Sequence, residues 1–238
     1  SVRREREMNR SVERVIAMAR VTGATVYFYH VSSAEGAEAV RLARREGLPV
    51  YAETCPHYLL FTDEIYAGEQ GFLFNRVPPV RSQRDQDALW EALADGTFSC
   101  IGTDDVATTL ALKKQPPAGP DFTDLPGGMP QVETRLAVLH HEGVVKGRIS
   151  LNRMVYLLST GPARVFGLYP QKGAIAVGSD ADLLLFDPNK EQTITAGELH
   201  GGADYNIFEG WKVKGWLVLT LLRGQVDVAP AYTNGGFI

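Results

Sequence analysis

The sequence predicts an α/β protein, with parallel strand–helix units over residues 1–171 and a small all-β portion over residues 172–238. Three observations predict it. Short apolar runs rich in β-branched and aromatic residues (Thr25 to Tyr29, Val50 to Thr54, Phe98 to Thr103) alternate with stretches of helical periodicity. That order belongs to parallel β/α units and not to an antiparallel sheet. Two of the runs stop on side chains suited to metal ligation and proton transfer, His30 and Asp104. In barrels built from such units, the C-terminal ends of the strands carry the functional groups. From Lys172 onward the texture changes to short strands separated by Gly- and Asp-rich turns.

Each element follows from local pattern. Met8, Val12, Val15, Ile16 and Ala19 recur at helical spacing, so Val2 to Val21 is a helix, closed by Thr22-Gly23-Ala24. After His30, Ser32 or Ser33 can cap a helix from Ala34 to Glu46 that ends at Gly47. Val50 to Thr54 is the second strand, followed by an irregular stretch from Cys55 to about Ser82 holding Pro56, Pro78 and Pro79. Gln83 to Ala94 places Ala88, Leu89, Ala92 and Leu93 on one helical face, and the third strand follows. The loop from Val106 to Met129 is rich in Pro and Gly and long enough to be functional. Pro130 to His141, Ser150 to Ser159 and Gly161 to Leu168 are helical. Beyond Lys172, Gly173 to Gly178 and Leu183 to Phe186 read as strands, with turns at Ser179 to Asp182 and Asp187 to Lys190, and Lys212 to Leu222 reads as a hairpin broken at Gly215.

Composition narrows the function. Hydrophobic residues at 45% and charged residues at 22% are ordinary for a globular chain. A net charge of -4 gives a polyanion no electrostatic support, so no nucleic-acid partner is expected. The N-terminal arginines alternate with Glu5, Glu7 and Glu13, as on a solvated helix face. No apolar run approaches the roughly 20 residues that span a bilayer, so no membrane partner is expected. The charged opening residues do not resemble a secretory signal. Cys55 and Cys100 lie near the ends of core strands, as reduced thiols of a cytoplasmic protein would.

A histidine or an aspartate at one strand end is ordinary, but both on successive β/α units point to hydrolytic chemistry. Neutral imidazole and carboxylate are ligands of catalytic zinc, and a strand-end carboxylate can act as a general base. His57, within Cys55-Pro56-His57-Tyr58, reads as packing, His140-His141 as a solvated helix face, His200 as unpatterned, and Asp180 and Asp182 as turn formers.

Several blocks carry a specific resemblance. His30-Val31-Ser32-Ser33-Ala34-Glu35-Gly36, Glu53-Thr54-Cys55-Pro56-His57-Tyr58-Leu59, Pro78-Pro79-Val80-Arg81, Ile101-Gly102-Thr103-Asp104, Gly173 to Asp182 and Asp204 to Gly210 resemble the cyclic amidohydrolases, in the dihydropyrimidinase and D-hydantoinase branch. The resemblance runs along essentially the whole chain. It implies the C-terminal part of a (β/α)8 TIM-like metal-dependent hydrolase barrel joined to a small β-sandwich. It implies two divalent metal ions, zinc in most relatives, and a small cyclic amide substrate. On the same footing His30 is a metal ligand at the sixth strand, and Asp104 is both a metal ligand and the catalytic proton carrier at the eighth. The resemblance places backbone substrate contacts at Val77 and Gly127, where many relatives carry Ser or Thr and Asn. It also implies a homotetramer. Asp105 departs from the pattern, because dihydropyrimidinases commonly have His there.

The His-X-His pair, bridging lysine and fifth-strand histidine of that family have no counterpart here. The expectation is therefore that this chain needs its N-terminal half for a complete site. Three strands of a barrel leave an open edge, so the isolated residues should not unfold cooperatively as a monomer. A cooperative equilibrium transition in a monomer would contradict this. Two other readings of the resemblance stay open at this point. One is an allantoinase- or dihydroorotase-like hydrolase, and the other a non-catalytic dihydropyrimidinase-related assembly protein, against which the intact His30 and Asp104 argue.

Overall fold

The structure, a computed structural model, describes residues 2–115 and 126–227, with side chains from residue 9 onward. Part of the long loop expected after Asp104, residues 116–125, lies outside the described residues. The chain opens with α1 (Val2–Thr22), β1 (Val26–Phe28), α2 (Ala34–Arg45) and β2 (Val50–Thr54). It continues through α3 (Pro56–Leu60), α4 (Gln83–Ala94), β3 (Cys100–Ile101) and α5 (Leu110–Lys113). Helix α6 (Arg135–Leu139) runs into a π-helical turn at His140–Val145, and α7 (Leu151–Val155) into another at Tyr156–Thr160, followed by α8 (Gly161–Val165). Strands β4 (Leu183–Thr193), β5 (Lys212–Leu222) and β6 (Gln225–Asp227) complete it.

The first three strands form a parallel sheet in the order β1-β2-β3, with Val26 opposite Val50 and Glu53 opposite Cys100. Parallel strands need crossover helices, and α2 and α4 supply them. Val40 and Ala43 of α2 and Leu89 and Leu93 of α4 bury against Val50, Ala52 and Phe98. Each such apolar side chain contributes on the order of 1.5–3 kcal/mol of transfer free energy. Ser33 starts α2 by accepting a hydrogen bond from the Gly36 N–H at 3.1 Å. Ser33→Ala is expected to cost about 1 kcal/mol in denaturant unfolding, because that N–H loses its acceptor.

A second core lies against β5, where Phe74, Met129, Val138, Ile194, Phe208 and Val213 meet. It joins the loops at the carboxyl end of the parallel sheet to the antiparallel sheet β4-β5-β6.

Several expectations for the C-terminal portion are corrected. Gly173 to Gly178 forms no strand: Ile175 and Val177 are exposed, and the backbone turns at Gly173 with φ +75°. The turn expected at Asp187-Pro188-Asn189-Lys190 is a bulge inside β4. There the Asp187 carboxylate accepts from the N–H groups of Asn189 (2.8 Å) and Lys190 (3.2 Å), and the pairing register shifts between Asp187 and Glu191. Lys212 to Leu222 is one strand, not a hairpin. Gly215 marks a close approach within it, where a Cβ would lie 2.2 Å from His140 Nδ1.

The same contact explains why His140 is buried and not solvated. Its Nδ1–H donates to the Lys214 carbonyl at 2.6 Å, while His141 Nδ1 accepts from the Lys214 N–H at 3.1 Å. His200 has a partner as well, with Nδ1 2.7 Å from the Glu133 carboxylate. Asp180 and Asp182 are held as turn formers by Lys172. No helix among the described residues is long and apolar enough to cross a membrane.

Candidate active site

The carboxyl end of β2 anchors both of its neighbours. Val31 N–H donates to the Glu53 carbonyl at 2.8 Å, and the Thr54 hydroxyl donates to the Val31 carbonyl at 2.8 Å. Gly102 N–H donates to the Thr54 carbonyl at 3.0 Å. His30 and Asp104 thus leave the sheet on either side of β2, and both do so in the left-handed region, at φ +40° and +50°. A non-glycine residue there is uncommon and held only by its surroundings. The two strand ends thus share one backbone conformation.

Below them lies Glu53, half-buried, with the Tyr27 hydroxyl donating to Oε2 at 2.6 Å. Its carboxylate packs on Gly102, where a Cβ would sit 2.4 Å from Oε1, so any side chain at 102 would have to displace the carboxylate. Burial raises the Tyr27 hydroxyl, and Glu53 adds to it, so both proton and hydrogen bond are retained. Burial likewise pushes the Cys100 thiol up to about 11 and raises Cys55, and both cysteines are free and buried.

Arg76 stands between the two strand ends. Its guanidinium, 3% exposed, is ion-paired with the Asp104 carboxylate, 35% exposed, and lies over the Tyr58 ring at 5.5 Å. Burial holds the His30 imidazole below its ordinary pKa. The Arg76 charge acts in the same direction, against the opposing effects of a backbone hydrogen bond and of Glu53. His30 is therefore poised as a neutral nitrogen donor.

The loop after Asp104 is stapled to residues 129–132. Asp105 accepts from the N–H groups of Gln131 (2.5 Å) and Val132 (2.7 Å), and Val106 N–H donates to the Met129 carbonyl at 3.2 Å. A histidine at 105 has no carboxylate to make this double cap, which gives the departure a structural sense. Gln131 Nε2 donates to the Thr103 carbonyl and to His57 Nδ1, each at 2.7 Å. His57 is fully buried there, as its packing role requires, and burial depresses its pKa strongly.

The two positions at which the resemblance implies substrate contacts also lie at this end of the sheet. Val77, next to Arg76, is 81% exposed. The Cβ position of the exposed Gly127 is 3.8 Å from the Asn75 carbonyl, which brings the two loops together. Arg76 and Gln131 went unnoticed in the sequence, while Glu53 and Lys113 carry no role in the sequence reading. The one signal for Arg76 was a charged residue directly before Val77-Pro78-Pro79.

Among the described residues no group of three His, Cys, Asp or Glu side chains could hold a metal ion. His30 and Asp104 have the donor chemistry of two positions in a catalytic metal site, but the carboxylate is already engaged by Arg76. By themselves, the described residues do not make a metal centre.

The amidohydrolase family profile matches residues 7–226. D-phenylhydantoinase from Escherichia coli O1:K1 is 43% identical over 216 residues, which covers 90% of this chain and 47% of that enzyme. A dihydropyrimidinase structure from Brevibacillus agri superposes with a TM-score of 0.87 at 39% identity, covering 92% of this chain and 48% of that one. L-hydantoinase from Arthrobacter aurescens gives 0.85 at 35% identity over 92% of this chain and 48% of that one. The chain therefore spans about half the length of the relatives it matches. Likeness to these structures makes the three parallel strands part of a barrel-type sheet, which three strands do not close. With its match extending over residues 7–226, the chain belongs to the amidohydrolase family.

Proposed function

We propose that the protein containing this chain hydrolyses the C–N bond of small cyclic amides, hydantoins and dihydropyrimidines, at a metal-dependent centre completed by residues outside this chain. The observation that carries the reading is the pair His30 and Asp104. They are held in the same rare backbone conformation at the ends of strands flanking β2, in a chain 43% identical to a D-phenylhydantoinase. Amidohydrolases are generally metal-dependent, and His30 and Asp104 are the residues of this chain that would contribute to holding two divalent ions, zinc on the family resemblance, since nitrogen and oxygen donors suit several metals. Such ions supply Lewis acidity toward the amide carbonyl. Asp104, partly open to solvent, takes a proton from water and passes it to the leaving ring nitrogen. His30, kept neutral by burial, serves as a ligand and not as an acid. Backbone groups of Val77 and Gly127 orient the ring, supported by the juxtaposition of their loops. The reading extends to a cytoplasmic homotetramer, supported by two free buried thiols and by the exposed Leu184, Leu185 and Val218 on β4 and β5.

The test is metal analysis of the native gene product together with a hydrolysis screen of hydantoin, dihydrouracil, allantoin and dihydroorotate. Ring opening of hydantoin or dihydrouracil that is lost on chelation and restored by zinc is the expected result. A protein without metal and without turnover on any of the four would leave the assembly-protein reading in its place.

A further inference from the structure

The mouth beside Asp104 holds buried hydrogen-bond donors that lack acceptors. Among the described residues, Nε and Nη1 of Arg76 have no hydrogen-bond partner, although the side chain is 3% exposed. His57 Nε2 is also buried without one. The direction of that last group can be assigned. Gln131 Nε2 faces the Thr103 carbonyl, which accepts only, so the amide nitrogen and not its oxygen must lie on that side. Its second hydrogen then goes to His57 Nδ1, and the neutral ring carries its proton on Nε2. The unsatisfied groups of Arg76 and His57 are therefore donors, while the amide oxygen of Gln131 beside them is a buried acceptor.

A second cation lies nearby. The Lys113 side chain is almost fully buried, and its ammonium donates to the Pro126 carbonyl at 2.9 Å with no acidic partner among the described residues. Burial first, and the Arg76 charge second, draw its pKa down to about 8. The two cations thus feel each other, and the ion pair of Asp104 among the described residues is with Arg76. A buried charged donor left without an acceptor is destabilising, and an incoming anionic oxygen removes that cost. Guanidinium is the side chain best matched to a carboxylate.

We propose that Arg76, backed by Lys113, forms an anion subsite beside Asp104 that takes a carboxylate carried on the substrate ring. The inference rests on the cyclic-amide reading and names its substrate class, an anionic ring in place of a neutral one. Hydrolysis needs no further reactant for this: the carboxylate is a recognition handle and does not react.

The test uses the native gene product, titrated calorimetrically with hydantoin-5-acetate and with 5-methylhydantoin, which share a ring and differ in charge. The acid is expected to bind at least about tenfold more tightly. Arg76→Met should bring the ratio of the two affinities close to one, Arg76→Lys should keep part of it, and Lys113→Met should lower it by a smaller factor. Should Arg76→Met fail to fold, the lysine variant and Lys113→Met decide. Equal affinities in the wild-type protein, or an unchanged ratio in folded variants, would overturn the subsite. Preferential binding of the acid without ring opening of either ligand would instead remove the hydrolase reading and leave the anion subsite standing.

Discussion

Asp104→Asn is expected to lower kcat/KM of the native gene product on the proposed cyclic amide by about 10³-fold, the scale of losing a general acid–base group. Asparagine is the informative substitution for two reasons. It adopts the left-handed conformation more readily than most residues, so the φ of +50° at this position is kept. It also keeps the size and one oxygen of the side chain, while its amide cannot accept the proton of a nucleophilic water. The loss should fall on kcat more than on KM, and the far-UV spectrum should be unchanged. Some stability will go with it, because Arg76 then loses its carboxylate in a site where the guanidinium is almost fully buried. Steady-state kinetics set beside a thermal melt separate the two effects. Retention of the rate within tenfold in a folded variant would remove Asp104 from the chemistry. His30→Ala should lose comparable activity, accompanied by lower metal content.

The largest expected stability effect comes from Phe98→Ala, at about 3–5 kcal/mol. Phe98 has no exposed surface and packs in the core between α4 and the parallel sheet, with Leu89, Leu93 and Leu157 in the same cluster. Its backbone is fixed on both sides. The N–H donates to the Ala92 carbonyl at 3.0 Å, and the carbonyl accepts from Arg153 Nη2 at 2.8 Å. The surroundings therefore cannot collapse into the space a truncated side chain leaves, which places the cost toward the upper part of that range. Phe98→Leu, which keeps most of the volume, should cost less than about 1.5 kcal/mol. Denaturant titration of the native gene product checks both. Equal midpoints for the two variants would show that the site relaxes.

The parallel portion was legible because its information is local. The helix read as Gln83 to Ala94 has those bounds in the structure, and Val50 to Thr54 is a strand over its full predicted length. In both, a run of matching periodicity lies between clear breakers. The antiparallel portion was read less well. Asp187-Pro188 signals a turn, yet here the turn is absorbed as a bulge in a strand whose partner lies about thirty residues away (Asp187 against Trp216). Register with a distant strand leaves no mark at the turn itself. His140 was misread for a related reason. Its place on an exposed helix face held only until β5 covered it, with Gly215 making room.

The sequence by itself determined the order of β/α units, the burial of their apolar faces, and His30 and Asp104 as the side chains at two strand ends. Each of these follows from spacing within about a dozen residues. Only the tertiary structure decided that Arg76 closes on Asp104, that Gln131 fixes the His57 tautomer, and that Lys113 is buried. Those partners sit on loops or on helices too short to show periodicity, and meet across 28 residues in the first case and 74 in the second. Their pairing follows from where β2 and its neighbours end in space, a long-range property that no local pattern encodes.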